Sequence, residues 1–161
     1  MARMNKTATS RRLFAAGMLT LLLATPLVVF GLVQGTSAQE KPAAQLYKNP
    51  QCSCCEGYAA YLRQHGYPVT TTPTHDLALI RRQHDVPERL AGCHTVIIGG
   101  YVVEGHVPIG AVNKLLRELP KIRGISLPGM PEGSPGMTGE KTEPFTIYEI
   151  SDGEEKVFAA E

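Results

Sequence analysis

Three of the four cysteines in the chain, Cys52, Cys54 and Cys55, stand within four consecutive residues, and the fourth, Cys93, is followed directly by His94. A disulfide needs Cα atoms about 4.4–6.8 Å apart in a defined orientation, so the adjacent Cys54 and Cys55 are poorly placed to bridge to each other. Three cysteines packed this closely are also poor long-range staples, which argues against purely structural disulfides. The pattern therefore indicates thiol chemistry, either redox exchange or metal binding.

The cysteine motif stands where a short predicted strand gives way to a predicted helix. Free backbone N–H groups and the helix dipole favour negative charge at such a terminus, so we expect thiols there to have lowered pKa values. Cys52 and Cys55 also have the C-x-x-C spacing of a thioredoxin-type redox pair. A metal-independent thiol–disulfide oxidoreductase that uses this pair is one interpretation. Such an enzyme has no need of Cys54.

A third sulfur beside the pair, together with a distant cysteine and histidine, favours a metal site instead. Sulfur-rich sites with an imidazole select copper(I), zinc or iron–sulfur clusters. Zinc is usually held in a closed tetrahedral site, often by paired C-x-x-C motifs, whereas this chain has one crowded group. Several copper(I) ions bridged by the sulfurs would also balance the thiolate charge better than one zinc ion. The sequence therefore favours copper over zinc, and a structural zinc or disulfide domain that serves as an interaction module stays an alternative.

Four further side chains are candidate ligands. His94 follows Cys93, and His106 lies in a turn between a predicted hairpin and a helix. Met130 and Met137 lie in a stretch rich in glycine and proline, and their thioethers suit copper(I). The predicted metal ligands are Cys52, Cys54, Cys55, Cys93, His94, His106, Met130 and Met137.

The first 38 residues have the features of an export signal. Basic residues begin it, residues 13–33 are uncharged and largely apolar, and small residues at 36–38 offer a cleavage site. The stretch SRRLF at residues 10–14 also resembles a twin-arginine signal. A retained leader would instead anchor the protein in the membrane, because its apolar run approaches the ~20 residues that span a bilayer core. In both cases we expect the domain outside the cytoplasm, in the periplasm.

Without this leader the charge balance is mildly acidic. The chain has 16 Lys and Arg against 15 Asp and Glu, and four of the basic residues lie in the leader, which leaves 12 against 15 and a net charge of −3. No basic run remains that would follow a nucleic-acid backbone, so no nucleic-acid partner is expected. The expected partners are copper ions and other periplasmic copper-handling proteins.

The segments around the candidate ligands alternate between strands and helices. Gly99 and Gly100 can both adopt positive φ, which predicts a tight hairpin between two apolar runs. Glycine and proline recur from residue 124 to 144, where we expect no regular structure. The whole pattern is typical of a small α/β or α+β sandwich. Strands are predicted at 44–48, 69–72, 95–98, 101–104 and 145–150, and helices from the cysteine motif to about His65, from Asp76 to before Pro87, and from Pro108 to Pro120.

Four separate motifs resemble the DUF411 family of CopG-like proteins, which occur in bacterial copper-resistance systems. The motifs are CSCC at 52–55, LAGCHT at 90–95, GYVVEGHVP at 100–108 and LPGMPEGSPGM at 127–137. The resemblance extends from about residue 46 to residue 137. It implies a thioredoxin-like fold, a periplasmic location and redox-active handling of copper at the C-x-C-C motif. The family's motif cysteines fall on Cys52, Cys54, Cys55 and Cys93, and its histidines on His94 and His106.

Together these observations divide the chain into three predicted parts. Residues 1–38 are the export signal, and residues 39–123 are a thioredoxin-like metal-binding domain. Residues 124–161 are a flap rich in glycine, proline and methionine, followed by a short final strand. The predicted function is periplasmic copper binding in copper resistance, with several ions per chain and redox activity as expectations.

Overall fold

The computed structural model describes residues 40–161, which form a mixed α+β fold, the class that the sequence predicts. The predicted export signal lies outside the described residues. Within residues 40–161, none of the helices combines the length and apolar character needed to cross a membrane. The strands are β1 (Ala44–Lys48), β2 (Val69–Pro73), β3 (His94–Ile98), β4 (Tyr101–Gly105), β5 (Gly124–Leu127), β6 (Thr146–Ile150) and β7 (Val157–Ala160). The helices are α1 (Ser53–Gln64), α2 (Leu77–Gln83) and α3 (Ile109–Glu118), with a 3₁₀ turn at Glu88–Leu90.

All seven strands of the described region belong to one sheet, in the order β2-β1-β3-β4-β5-β6-β7. β1 pairs in parallel with β2 and antiparallel with β3, while β4 pairs antiparallel with β3 and in parallel with β5. The last three strands pair antiparallel in sequence order. In this register Lys48, at the end of β1, lies opposite His94, at the start of β3. The loop that leaves β1 with the cysteine motif therefore lies beside the start of β3.

The first helix follows from its apolar spacing and its ends. Cys52 is the N-cap residue, and Gly66, with φ of 82°, follows the C-cap and lets the chain turn away. Tyr58 and Leu62, four residues apart, are buried on one face of α1. Burial of side chains of this size contributes about 1.5–3 kcal/mol each. The sequence prediction of this helix is confirmed.

The core lies on both faces of the sheet because apolar residues alternate along the strands. The larger cluster packs α1 and α3 against one face, and Val103 belongs to it. Its neighbour Val102 points the other way, into a smaller cluster with Val86, Leu90 and Ile150. The predicted hairpin between β3 and β4 is also present, and Gly99 and Gly100 have φ of 56° and 84°.

The prediction that residues 124–144 lack regular structure is wrong at its start, since Gly124–Leu127 forms β5 beside β4. Gly124 reflects a close approach of two backbones, because a Cβ on this residue would collide with the carbonyl of Val102. The predicted last strand is confirmed as β6, and β7 follows it without having been predicted. Residues 124–161 therefore extend the sheet that carries the candidate ligands.

Candidate metal centre

Four cysteine sulfurs meet where the N-terminus of α1 faces the start of β3. Cys52 is the N-cap residue of α1, Cys54 and Cys55 lie in its first turn, and Cys93 directly precedes β3. The Sγ of Cys54 lies 3.4 Å from that of Cys52 and 3.9 Å from that of Cys93. The Sγ of Cys55 lies 3.6 Å from that of Cys93. The structure thus brings together the four cysteines that the sequence singles out.

In the structure Cys52 and Cys55 form a disulfide, and Cys54 and Cys93 are free. The bridge joins the two cysteines of the C-x-x-C spacing, whose Cα atoms lie 5.5 Å apart. Because a cysteine binds a metal through its thiolate, this oxidised form offers two of the four cysteines to a metal. Reduction of the bridge would make all four available.

A second group of donors shares Cys93 with the first. The Sγ of Cys93 lies 3.3 Å from Nδ1 of His94 and 3.0 Å from Nε2 of His106. One atom from each of these three residues lies within 4.8 Å of the others, and the same holds for the four cysteines. Each group could therefore hold a metal ion, and Cys93 belongs to both.

Burial sets the protonation of this second group. Both imidazoles are fully inaccessible to solvent. Burial lowers the pKa of His106. Burial, together with the nearby His106 ring, lowers the pKa of His94 well below its usual value. Burial, and then the neighbouring Cys54, raise the pKa of the Cys93 thiol to about 12. At neutral pH the metal-free site thus contains neutral imidazoles and a protonated Cys93. A metal ion that binds Cys93 must displace this proton.

The tautomer of His106 is set by a loop that follows β5. Nδ1 of His106 lies 2.7 Å from the carbonyl oxygen of Pro135, which can only accept a hydrogen bond. Nδ1 must therefore carry the proton and donate it, which leaves Nε2 of the neutral ring bare. This bare nitrogen faces Cys93, whose thiol donates to it.

Tyr58 supports both imidazoles from α1. Its ring lies 4.6 Å from the ring of His94 and 5.5 Å from that of His106, measured between centroids. Its hydroxyl donates to the carbonyl of Val107 at 2.8 Å, which satisfies the polar end of a fully buried side chain. Tyr58 thus packs α1 directly against the two histidines.

A buried ion pair, which the sequence analysis missed, holds the chain just before Cys93. The carboxylate of Glu104 accepts hydrogen bonds from Arg81 Nε at 2.8 Å, from the backbone N–H of Gly92 at 2.8 Å and from Thr95 Oγ1 at 2.7 Å. Arg81 also donates to the carbonyl of Gly92. Both peptide groups of Gly92 are thus fixed from β4 and α2. The available signal was a single charged residue, Glu104, within an otherwise apolar strand.

Lys48 holds the other side of the site. Its Nζ lies 3.3–3.4 Å from the carbonyl oxygens of Asn49, Pro50 and Cys52, and 3.0 Å from Glu56 Oε1. The side chain is almost fully buried, so this ammonium group is paired by backbone dipoles and one carboxylate. It fixes the loop that carries Cys52 into α1.

The two predicted methionine ligands lie in the loop after β5. Met130 is 44% exposed and has φ of 49°, and Met137 is half-buried. Within residues 40–161, the close polar contacts of the cysteine sulfurs are with one another, with one carbonyl oxygen and with the histidine rings, and none of them is with a methionine sulfur. Met130 and Met137 stay predicted ligands.

Known proteins resemble this chain in sequence and in structure. The model of the family described as protein of unknown function, DUF411, matches residues 90–137. A solved structure of a copper resistance protein CopG, form 2, is 33% identical, with a TM-score of 0.70 over 76% of this chain and 99% of that chain. This chain belongs to the DUF411 family. Form 1 of the same CopG protein matches with the same identity and TM-score, over 76% of this chain and 98% of that one. No curated protein matches the chain.

The donor set of this DUF411 protein fits a soft metal. Four sulfurs and two imidazoles converge without a carboxylate among the six donors, and such sets favour copper(I) or zinc over hard cations. Nε2 of His94 is buried and has no hydrogen-bond partner within the described residues. The other ring nitrogen of His94, Nδ1, faces Cys93 Sγ at 3.3 Å and is therefore the one placed to bind an ion shared with Cys93.

Proposed function

We propose that this DUF411 protein is a periplasmic copper-binding protein of copper resistance or homeostasis. In its reduced form Cys52, Cys54, Cys55 and Cys93 are thiolate ligands, and His94 and His106 are nitrogen ligands. The observation that carries this proposal is the position of Cys93, whose Sγ lies within reach of both the cysteine group and the histidine group. The likeness to a copper resistance protein CopG supports copper as the ion.

Several copper ions per chain follow from the number of donors and from their charge. Six donors exceed what one copper(I) ion takes, and a sulfur shared by two groups can bridge two ions. Copper(I) ions bridged by thiolates also balance the negative charge of the sulfurs inside a partly buried site. A mixed set of sulfur and imidazole ligands stabilises both copper oxidation states, so we include redox activity in the proposal. Other periplasmic copper-handling proteins are the proposed partners.

Met130 and Met137 are proposed as additional thioether donors from the loop. Replacement of either methionine by leucine keeps the size and apolar character of the side chain and removes the sulfur. If one of them binds copper(I), its leucine variant binds copper(I) less tightly than the unchanged protein in a chelator competition. An unchanged affinity in both variants removes the methionines from the ligand set.

The test of the proposal is an anaerobic titration of the chemically reduced protein. Copper(I) is added in competition with a copper(I) chelator, and zinc is added in a parallel series with a zinc chelator. We expect one or more copper(I) ions per chain, held more tightly than zinc. A reduced protein that leaves all the copper with the chelator, or that prefers zinc, contradicts the proposal.

A thiol–disulfide oxidoreductase is the second candidate, and the disulfide between Cys52 and Cys55 favours it. This function needs only the C-x-x-C pair, so it predicts metal-independent reduction of insulin disulfides. The activity would persist in Cys54→Ser and in His106→Ala. Copper binding predicts the opposite pattern, in which both substitutions reduce the amount of copper or its affinity.

A further inference from the structure

The loop at residues 128–137 is seated against the helix that carries the cysteine motif. The contact between Gly57 of α1 and Gly136 of the loop leaves no room for a Cβ atom. A methyl group on Gly57 would lie 2.8 Å from the carbonyl oxygen of Gly136. In the reverse direction, a Cβ on Gly136 would lie 2.5 Å from the backbone nitrogen of Tyr58. Gly136 also has φ of 81°, which L side chains rarely adopt. Two glycines thus let the loop and the helix meet backbone to backbone.

The loop has internal hydrogen bonds that give it a defined shape. The hydroxyl of Ser134, a buried residue, donates to the carbonyl of Pro131 at 2.6 Å. The backbone N–H of Met137 donates to the carbonyl of Ser134 at 2.9 Å, and that of Gly133 donates to Thr138 at 3.0 Å. These bonds hold the peptide between Pro135 and Gly136, so its carbonyl oxygen has a fixed direction.

That carbonyl oxygen is the partner of His106. Nδ1 of His106 lies 2.7 Å from the oxygen of Pro135, while Nε2 lies 3.0 Å from Cys93 Sγ. The ring therefore has its proton on the loop side and its bare nitrogen on the cysteine side. When a histidine binds a metal through one ring nitrogen, a hydrogen bond from the other ring nitrogen commonly fixes its tautomer and orientation. Loss of that hydrogen bond lowers the metal affinity by 10–100-fold.

We infer that the loop at residues 128–137 is a positioning element, in which the backbone carbonyl of Pro135 holds His106 with a bare Nε2 facing Cys93 and the Gly57–Gly136 contact keeps that carbonyl in place. The role of His106 as a ligand rests on the proposed function, whereas its tautomer and orientation do not. The loop acts through its backbone, independently of any methionine ligand. It also ties the position of His106 to α1, the helix that carries Cys54 and Cys55.

The substitution that tests this inference is Gly57→Ala. Alanine favours a helix more than glycine does, so the substitution improves α1 locally while it pushes against the carbonyl of Gly136. The matched control is Gly110→Ala in α3, where the added methyl group meets the flexible side chain of Glu161 instead of backbone. Both changes add one methyl group to a helical glycine, and only the first one presses on the loop.

The first readout is the tautomer of His106 in the reduced, copper-free protein, obtained from the ¹⁵N chemical shifts of its two ring nitrogens. We expect a proton on Nδ1 in the unchanged protein and in Gly110→Ala, and a mixture of tautomers in Gly57→Ala. A proton on Nε2 in the unchanged protein overturns the inference, and so does an unaltered tautomer in folded Gly57→Ala. The measurement on the unchanged protein decides the matter even if Gly57→Ala does not fold.

The second readout is the affinity for copper(I) in chelator competition. Gly57→Ala should weaken copper(I) binding by 10–100-fold, and Gly110→Ala by less than about twofold. Equal affinities of the two variants contradict the positioning role. If the unchanged protein binds no copper while His106 has the expected tautomer, the proposed function fails and the positioning of the ring by the loop stands.

Discussion

Cys93 Sγ lies 3.0 Å from Nε2 of His106, although Cys93 precedes β3 and His106 follows β4 along the chain. Antiparallel pairing returns the end of β4 to the start of β3 and so brings the two side chains together. Cys93 Sγ also lies near Nδ1 of His94, and near the sulfurs of Cys54 and Cys55 from α1. Cys93 is thus the residue through which the sulfurs of the helix and the imidazoles of the hairpin form one continuous set of donors.

Replacement of Cys93 by serine should therefore remove more copper than any other single cysteine change. The substitution takes a donor from both groups, whereas Cys54→Ser takes a donor from the cysteine group alone. We expect Cys93→Ser to retain less than half of the copper of the unchanged protein, measured as copper per chain after anaerobic loading. Ser53→Ala, inside the motif but without a ligand, is the control. Full loading of Cys93→Ser would show that this residue does not join the two groups.

Replacement of Cys54 by serine separates the two candidate functions. Cys54 lies outside the disulfide, and its Sγ is 3.4 Å from Cys52 and 3.9 Å from Cys93. We expect Cys54→Ser to bind less copper(I) per chain in the anaerobic titration while the Cys52–Cys55 disulfide still forms. Unchanged copper binding, together with unchanged reduction of insulin disulfides, would instead favour the oxidoreductase.

The ion pair behind Cys93 should be a large contributor to stability. Glu104→Ala leaves Arg81, Thr95 Oγ1 and the N–H of Gly92 without their shared acceptor in a buried region. Loss of one partner from a buried, hydrogen-bonded ion pair costs about 3–5 kcal/mol, which we expect as the decrease in the free energy of unfolding of the copper-free protein in urea.

The matched control for Glu104→Ala is Arg89→Gln, which breaks a solvent-exposed ion pair with Glu155. An exposed pair of this kind contributes about 0–1 kcal/mol, so this variant should unfold almost like the unchanged protein. Equal losses of stability in the two variants would contradict the role that we assign to the buried network.

Stability of the copper-free protein should fall as the pH falls below about 6.5, the usual pKa of histidine. Burial lowers the pKa values of His94 and His106 in the folded protein. In the unfolded chain both rings take up protons near pH 6.5, so acid favours unfolding, by up to about 1.4 kcal/mol per pH unit for each histidine. The measurement is the free energy of unfolding in urea between pH 7.5 and pH 5.

The pH effect is assigned by comparing variants. In His94→Gln the loss of stability between pH 7.5 and pH 5 should be smaller than in the unchanged protein. In His65→Gln, which changes an exposed histidine, the loss should be unaltered. Burial raises the pKa of Glu104 in the folded protein, so the titration of Glu104 lowers the free energy of unfolding as the pH rises. Glu104 is the same in all the proteins compared, so its effect cancels in the comparison. If the free energy of unfolding falls equally between pH 7.5 and pH 5 in all three proteins, His94 is not the source of the pH dependence.

Sequence reasoning identifies the elements whose signals are local. The helix that begins in the C-x-C-C motif and the tight turn at the glycine pair at residues 99–100 are both predicted from the sequence and present in the structure. The sequence does not predict β5, because recurring glycine and proline after residue 124 indicate irregular structure, whereas Gly124 marks a close approach to Val102 on the neighbouring strand. The strand depends on a partner that is distant in sequence, and local spacing does not contain this information.

The site shows the same limit. The types of the candidate ligands pointed to Cys93, His94 and His106, because few other residues offer soft donors. The residues that hold them in place, Glu104 and the carbonyl of Pro135, act through contacts over 12 and 29 residues of sequence. A backbone carbonyl has no residue type by which a sequence pattern could identify it.

The most direct test of the copper site is the metal content of the protein itself. The protein is purified anaerobically from the periplasm of copper-fed cells, and copper and zinc per chain are measured beside the number of free thiols. We predict one or more copper ions per chain, with free thiols hidden until the copper is removed. A metal-free protein that also refuses added copper(I) once all four thiols are reduced would contradict the account and leave disulfide exchange in its place.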